Sequence, residues 1–388
     1  MSRDSGSLRA IEVGSFPLDA DMERYLRGAY TIEMGVGETE SEDSEYFISK
    51  HNDTFLAKAD ALGPESAVVC YAQCRGMIDQ FLLPVIGRTT SSTQTQTSTT
   101  VSFGGIPKEA AQSVAIAAAT GQDLGTGPEL KIAEITALQR SERELTKRLG
   151  VDEISYKSCI TGPLELALNL QRLAEFPRTY DEKLVEFFTE VVRLFVKGSL
   201  VNTGHLTPAV ITIDEPAFGL EGVGDFFTDT KSDARLEHLI SCWNSIYDEV
   251  PSDCYRGIHL HASPFEQAFN ANWNLLEAHV GVYVSGKWLE DYDKFVRAAI
   301  VRTDGPTIDK GEDVKAAWQR ILSGDFQSYL QSVQEMEKYL RENIKLYGVE
   351  RVPFAGPECG LGPWDWKNGE AMALLTLKRM SSLLRDFN

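Results

Sequence analysis

Eight short apolar runs recur along the chain, each ending in glycine, proline or a small polar residue. They are "AIEVGSFP" (10–17), "AVVCYAQ" (67–73), "ISYKSCITGP" (154–163), "AVITIDEP" (209–216), "GIHLHAS" (257–263), "VGVYVSG" (280–286), "AAIVRTDG" (298–305) and "RVPFAGPECG" (351–360). Their length and β-branched content predict buried strands. Between them apolar residues recur every three or four positions, which predicts helices over 128–149, 180–201, 232–250, 264–278, 311–347 and 367–387. Strand and helix alternating in this way predict an α/β fold, a single (β/α)8 TIM barrel spanning 1–388. An open doubly wound sheet is the competing arrangement. No linker or shift in composition divides the chain.

Two intervals exceed a minimal barrel and are read as insertions after strands one and two. Residues 18–66 form a long interval that carries the acidic "GETESEDSEYF" (37–47). The nearly uncharged "GRTTSSTQTQTSTTVSFGGIP" (87–107) suits a flexible Ser/Thr loop or, from the alternation over 93–101, an added hairpin.

Composition narrows the class. Apolar residues make up 43% and charged residues 24% of the 388 positions, as in ordinary soluble domains. No apolar run approaches the ~20 residues of a membrane span, and "MSRDSGSLRA" offers no apolar secretory segment. A net charge of -19 without a lysine or arginine cluster argues against a nucleic-acid partner. The six cysteines (Cys70, Cys74, Cys159, Cys242, Cys254 and Cys359) are scattered, unlike a disulfide framework. The expectation is a cytoplasmic enzyme that engages neither membrane nor nucleic acid.

A βα barrel builds its active site from the C-terminal ends of its strands. There the sequence places Ser15, Gln73, Asp214, Glu215, His259, His261, Asp304 and, just past strand eight, Cys359. Residues i and i+2 of a strand point the same way, so His259 and His261 present their imidazoles together. They are either metal ligands or a hydrogen-bonded polar pair. Cys359, on the closing strand, can add a third donor. Zinc takes such sulfur and nitrogen ligands, and a catalytic zinc keeps one position open.

Read in order, "VGSFP" (13–17), "ITGP" (160–163), "IDEPAF" (213–218), "HLH" (259–261) and "GPECGL" (356–361) resemble the catalytic C-terminal barrel of the cobalamin-independent methionine synthases. More broadly they resemble the zinc methyltransferases related to uroporphyrinogen decarboxylase. The resemblance covers most of the chain and implies a Zn2+-dependent transfer of a methyl group to a small thiol. It implies His259 and Cys359 as zinc ligands, with His261 where the family has Cys. The family's strand-six glutamate ligand falls at Val284, which cannot ligate, leaving three ligands and an open fourth position. Asp214 and His259 are the implied catalytic pair. Ser15 and Asp214 stand where the family holds its amino-acid substrate, with Glu215 beside them in the same motif. Gln73 stands where a glutamate meets the substrate ammonium.

These departures have consequences. Two thiolates and a carboxylate around zinc, with a substrate thiolate bound, leave a net charge of about −2; two imidazoles and one thiolate leave it at about zero. The less negative centre lowers the thiol pKa further but makes the sulfur less nucleophilic. An amide at Gln73 can only hydrogen-bond an ammonium, so homocysteine is disfavoured relative to the family. The family's full-length members carry a further N-terminal barrel that helps hold polyglutamyl folate. A single barrel with no basic cluster implies a short form whose donor is a methylcorrinoid, free or carried by a corrinoid protein. Two other readings use the same residues. One is a metal-free lyase like uroporphyrinogen decarboxylase, with His259, Asp214 and arginines such as Arg75 handling substrate carboxylates. The other is a non-catalytic barrel that binds a corrinoid or a thiol.

Overall fold

The computed structural model describes residues 8–35, 41–64, 67–91, 106–121, 130–219, 224–227 and 232–388. In chain order the elements are β1 (Arg9–Ala10), α1 (Met22–Met34), α2 (Glu42–Leu62), β2 (Val69–Cys70), α3 (Met77–Ser91), α4 (Lys108–Ala119), α5 (Ala133–Leu149) and β3 (Ile154–Thr161). There follow α6 (Pro163–Leu173), α7 (Glu182–Ser199), β4 (Leu206–Asp214), α8 (Ser232–Tyr247), β5 (Tyr255–Leu260) and β6 (Leu275–Ala278). The chain ends with α9 (Gly286–Asp291), β7 (Phe295–Val301), α10 (Val314–Ser323), α11 (Val333–Tyr347), β8 (Phe354–Pro357) and α12 (Gly369–Phe387). Polar caps start several helices, and one of them divides the helix expected over 311–347 into α10 and α11. Asp181 begins α7, and Ser332 with Glu335 forms a capping box on α11.

The eight strands lie in the order β1-β8-β7-β6-β5-β4-β3-β2, with every neighbouring pair parallel. Single parallel bridges from Ile11 to Val68 and from Ser15 to Gln73 join the two ends of this ribbon. The ring is therefore closed, and the chain is a (β/α)8 barrel. Among the described residues, two helices lie between β1 and β2 and three between β2 and β3. The hairpin considered over 93–101 lies outside the described residues. Among the described residues, no helix is long and apolar enough to cross a membrane.

The region around strand six departs from the sequence reading. Residues 264–278, expected as a helix, form a 3-10 turn at Glu266–Asn270 followed by β6 itself. Residues 280–286, expected as the strand, are the turn after it, with Gly281 at φ +82. Trp273, whose indole donates to the Ala268 carbonyl, and Asn274, whose N–H donates to the Arg256 carbonyl, end the turn and deliver the chain into the sheet.

The bottom of the barrel is apolar, built on Ile11, Val68, Val210, Leu275 and Phe354. Above it lies a charged interior. Lys157 Nζ on β3 donates to both oxygens of Glu277 on β6, at 2.7 and 2.6 Å, and neither side chain has solvent exposure. At the seam, Lys58 of α2 pairs with Glu12 at 2.8 Å and donates to the Cys70 carbonyl, while Glu12 accepts the Cys70 N–H. This ion pair supplements the sparse β1–β2 hydrogen bonding.

Removing one partner of a buried ion pair leaves an uncompensated charge, at a cost of about 3–5 kcal/mol. Lys58→Met is expected to lose about that much stability in urea unfolding, and the double variant Glu12→Gln/Lys58→Met to regain part of it. A Lys58→Met protein within about 1 kcal/mol of wild type would show that the seam does not depend on this pair.

Candidate metal centre at the barrel rim

Four donor side chains converge at the C-terminal ends of β5, β6 and β8: His259, His261, His279 and Cys359, with ligand atoms all within 4.8 Å of one another. Strand register puts them there. His259 pairs with Asp214 on β4 and with Glu277 on β6. His261 and His279 each follow two residues later and so project to the same side. Ring centroids are 5.3 Å apart for His259 and His261 and 4.1 Å for His261 and His279. Cys359 arrives on the loop after β8, whose Leu361 and Gly362 N–H groups donate to the Ser15 carbonyl. A Cβ at Gly360 would fall 1.9 Å from Ser15 Oγ, so the loop can lie against β1 only with glycine there. The "GSFP" and "ECGLG" motifs are thus two halves of one contact.

The donors are in a state to receive a cation. His259 has no solvent exposure, and among the described residues neither of its ring nitrogens has a hydrogen-bond partner. His279 Nε2 is buried and equally unpartnered. Buried polar atoms left this way cost about 1–3 kcal/mol each, which a coordinated metal would offset. His261 Nε2 lies 3.8 Å from Cys359 Sγ. Tetrahedral zinc at ordinary bond lengths spaces nitrogen and sulfur ligands about 3.3–3.6 Å apart, so this pair is close to that spacing. Three imidazoles and a thiolate are a donor set that zinc accepts.

Burial sets the protonation states. It holds the His261 and His279 imidazoles down at about 4, with the His279 ring adding to the effect on His261 and Arg297 to that on His279. His259 is pushed well below the usual range by burial and by Arg297. Burial and nearby Asp214 raise the Cys359 thiol to about 11. At neutral pH the metal-free centre is three neutral imidazoles and one thiol.

His279 escaped the sequence reading because strand six was placed too late. The fourth position therefore does not fall to Val284, which lies in the turn with its N–H on the Tyr347 hydroxyl. A strand begun at Leu275 would have put His279 two residues past Glu277, on the same face as His261.

The other expected site residues divide. Asp214 ends β4 beside the cluster; its Oδ1 is buried without a partner among the described residues. Burial, with Glu165 and Glu215 nearby, raises its pKa well above the carboxylate range. Ser15 and Gln73 form the bridge that closes the ring, and a Cβ on Gly14 would meet both Gln73 Oε1 and Cys159. Glu215 is turned toward its neighbours in the helix layer. Its oxygens accept the N–H groups of Leu164 and Glu165 at the start of α6 and the Trp243 indole. It is a buried brace for that helix, and Gly162 leaves the space it needs. Arg75 is bound by Glu33 and Glu134 and so is committed away from any substrate carboxylate. Asp304 lies beyond β7, exposed and paired with Arg302.

Compared by sequence, the chain matches no family model and no curated protein. Solved structures do match it in fold. A B12-independent methionine synthase from Shewanella sp. W3-18-1, in complex with selenomethionine, aligns over 98% of this chain and 99% of its own at a TM-score of 0.55 and 14% identity. A Listeria monocytogenes protein assigned as a vitamin-B12-independent methionine synthase aligns over 99% of each chain at a TM-score of 0.52 and 10% identity. The barrel seen in those proteins is the fold of this one, over nearly its whole length.

One metal ion per chain is the expected stoichiometry, lost in His259→Ala and Cys359→Ala and bound more weakly in His279→Ala. Cys254→Ala, altered just before β5 at the strand's other end, should keep it. Because the imidazoles are already unprotonated and the thiol is not, binding should release about one proton, and affinity should rise about tenfold per pH unit between roughly pH 6 and 8. Calorimetry in buffers of different ionisation enthalpy measures this; release of no proton would exclude Cys359 as a thiolate ligand.

Proposed function

We propose that this protein is a zinc-dependent methyltransferase that transfers a methyl group to the sulfur of a small thiol. The observation that carries the reading is the cluster of His259, His261, His279 and Cys359 at the rim where βα barrels place their chemistry. The fold shared with methionine synthases supports it. Zinc, when bound, would supply a lowered pKa for the acceptor thiol, so that a thiolate is available at neutral pH.

The chain's own residues do the rest. His259, His261, His279 and Cys359 would hold the ion. Asp214, with Oδ1 unpartnered among the described residues, and Ser15, against the Cys359 loop, orient the acceptor. The ion would supply the acidification of the thiol, so no separate base is required beside it. A sulfur–carbon bond then forms as the donor's bond to its methyl group breaks, in line, and the donor departs with that electron pair.

Gln73 bears on the acceptor. It is 4% exposed on a closing bridge, and it offers an amide at the position where the family resemblance implies a carboxylate facing an ammonium. We therefore propose an acceptor that need not carry an ammonium group. For the donor we propose a methylcorrinoid. The neighbours' names speak of B12-independent enzymes, so methyltetrahydrofolate is the competing arm of the assay.

The zinc-loaded protein should methylate a simple mercapto-sulfonate with methylcobalamin at a higher kcat/KM than it does homocysteine. Gln73→Glu should narrow that difference about tenfold or more, and Asp214→Asn should lower kcat/KM about ten- to a hundredfold while zinc is retained. If zinc-loaded protein transfers methyl to no thiol from either donor, the methyltransferase reading fails. If Gln73→Glu leaves the ratio unchanged, the acceptor assignment fails alone.

A further inference from the structure

Two of the three histidines in the cluster have a carboxylate on the Nδ1 side and an unpartnered, buried Nε2 on the other. His279 Nδ1 lies 3.9 Å from Glu358 Oε2, and His259 Nδ1 lies 4.0 Å from Glu277 Oε2. Both carboxylates are anchored by other groups. Glu358 accepts the N–H of Thr303 at Oε1 (2.9 Å) and of Val280 at Oε2 (3.1 Å). Glu277 accepts two bonds from Lys157 and one from Thr212 Oγ1 at 2.9 Å. A carboxylate oxygen has two lone pairs, so each Oε2 can still accept an imidazole N–H after a small ring movement.

We infer that Glu277 and Glu358 are positioning residues of this centre. They hold His259 and His279 as the Nδ1–H tautomers, which turns the Nε2 lone pairs toward Cys359 and His261. The inference rests on the zinc reading. The same relation on two separate strands is its main support. A ligating histidine ordinarily gives its other N–H to such a partner, and losing that partner weakens metal affinity about 10–100-fold. Glu358 also ties the turn after β6 to the end of β7, and it immediately precedes Cys359.

The rival role for Glu358 is a simple brace between Val280 and Thr303. Glu358→Gln removes the carboxylate charge and keeps one of the two backbone bonds at its amide oxygen, while its NH2 cannot accept the other, so melting temperature and affinity are read together. Cobalt(II) titration with zinc competition should show about 10–100-fold weaker binding for Glu358→Gln, and no further loss when it is added to His279→Ala. A brace would lower the melting temperature and leave affinity unchanged, or would lower affinity equally in the His279→Ala background; either result overturns the inference. Nitrogen-15 spectra of histidine-labelled, metal-free protein at neutral pH give a second readout. His259 and His279 should be Nδ1–H tautomers, and Nε2–H on either would overturn its assignment. If wild type binds neither zinc nor cobalt(II), the functional reading falls, while the tautomer spectra still decide the positioning.

Discussion

Lys157 reaches from β3 to Glu277 on β6 inside a barrel whose lower layer is apolar, and both side chains are fully removed from solvent. An isolated charge there would cost several kcal/mol, and even a pair gains little over well-packed apolar residues. The pair is better understood by what it places. Glu277 also accepts Thr212 on β4 and lies 3.8 Å from Arg297 on β7. Arg297 in turn donates to the carbonyls of Pro357 and Glu358, the two residues before Cys359. Strands β3, β4, β6 and β7 and the loop after β8 are thereby referred to one buried carboxylate. A one-residue slip of β6 would turn Glu277 and His279 out of the interior together, so the pair that sets the register also sets the ligand.

The same burial shapes the chemistry above it. Desolvation keeps the three imidazoles neutral, the thiol protonated and Asp214 high in pKa. The resting donors therefore carry no charge of their own. On the zinc reading proposed above, a dication would change that balance by satisfying the orphaned nitrogens and driving a proton from Cys359. Folding energy has been spent to leave those nitrogens unpartnered, an arrangement expected of a site that is completed by binding.

Much of this was legible because a parallel barrel writes its site at strand ends. The motifs around Ser15, Asp214, His259 and Cys359 stop their strands with glycine, proline or small residues, and period-two alternation aligned His259 with His261. Strand six was not legible for a physical reason. Leu275–Ala278 contains no β-branched residue, and its buried Glu277 resembles the polar face of a helix. Val280, Val282 and Val284 alternate like a strand, yet Val282 and Val284 pack from a turn against the core without a ladder. Glu215 and Arg75 illustrate a second limit. A polar residue at a strand end can face the pocket or brace a neighbouring element, and only three-dimensional partners distinguish the two. Most of 87–107 lies outside the described residues.

Placing His279 in the cluster changes the number of protein donors but not the charge. Three neutral imidazoles and one thiolate around zinc, with a substrate thiolate, would still sum to about zero, against about −2 for two thiolates and a carboxylate. On the zinc reading proposed above, such a centre would withdraw electron density from a bound sulfur, favouring its deprotonation and weakening it as a nucleophile, since nucleophilicity falls with thiol pKa.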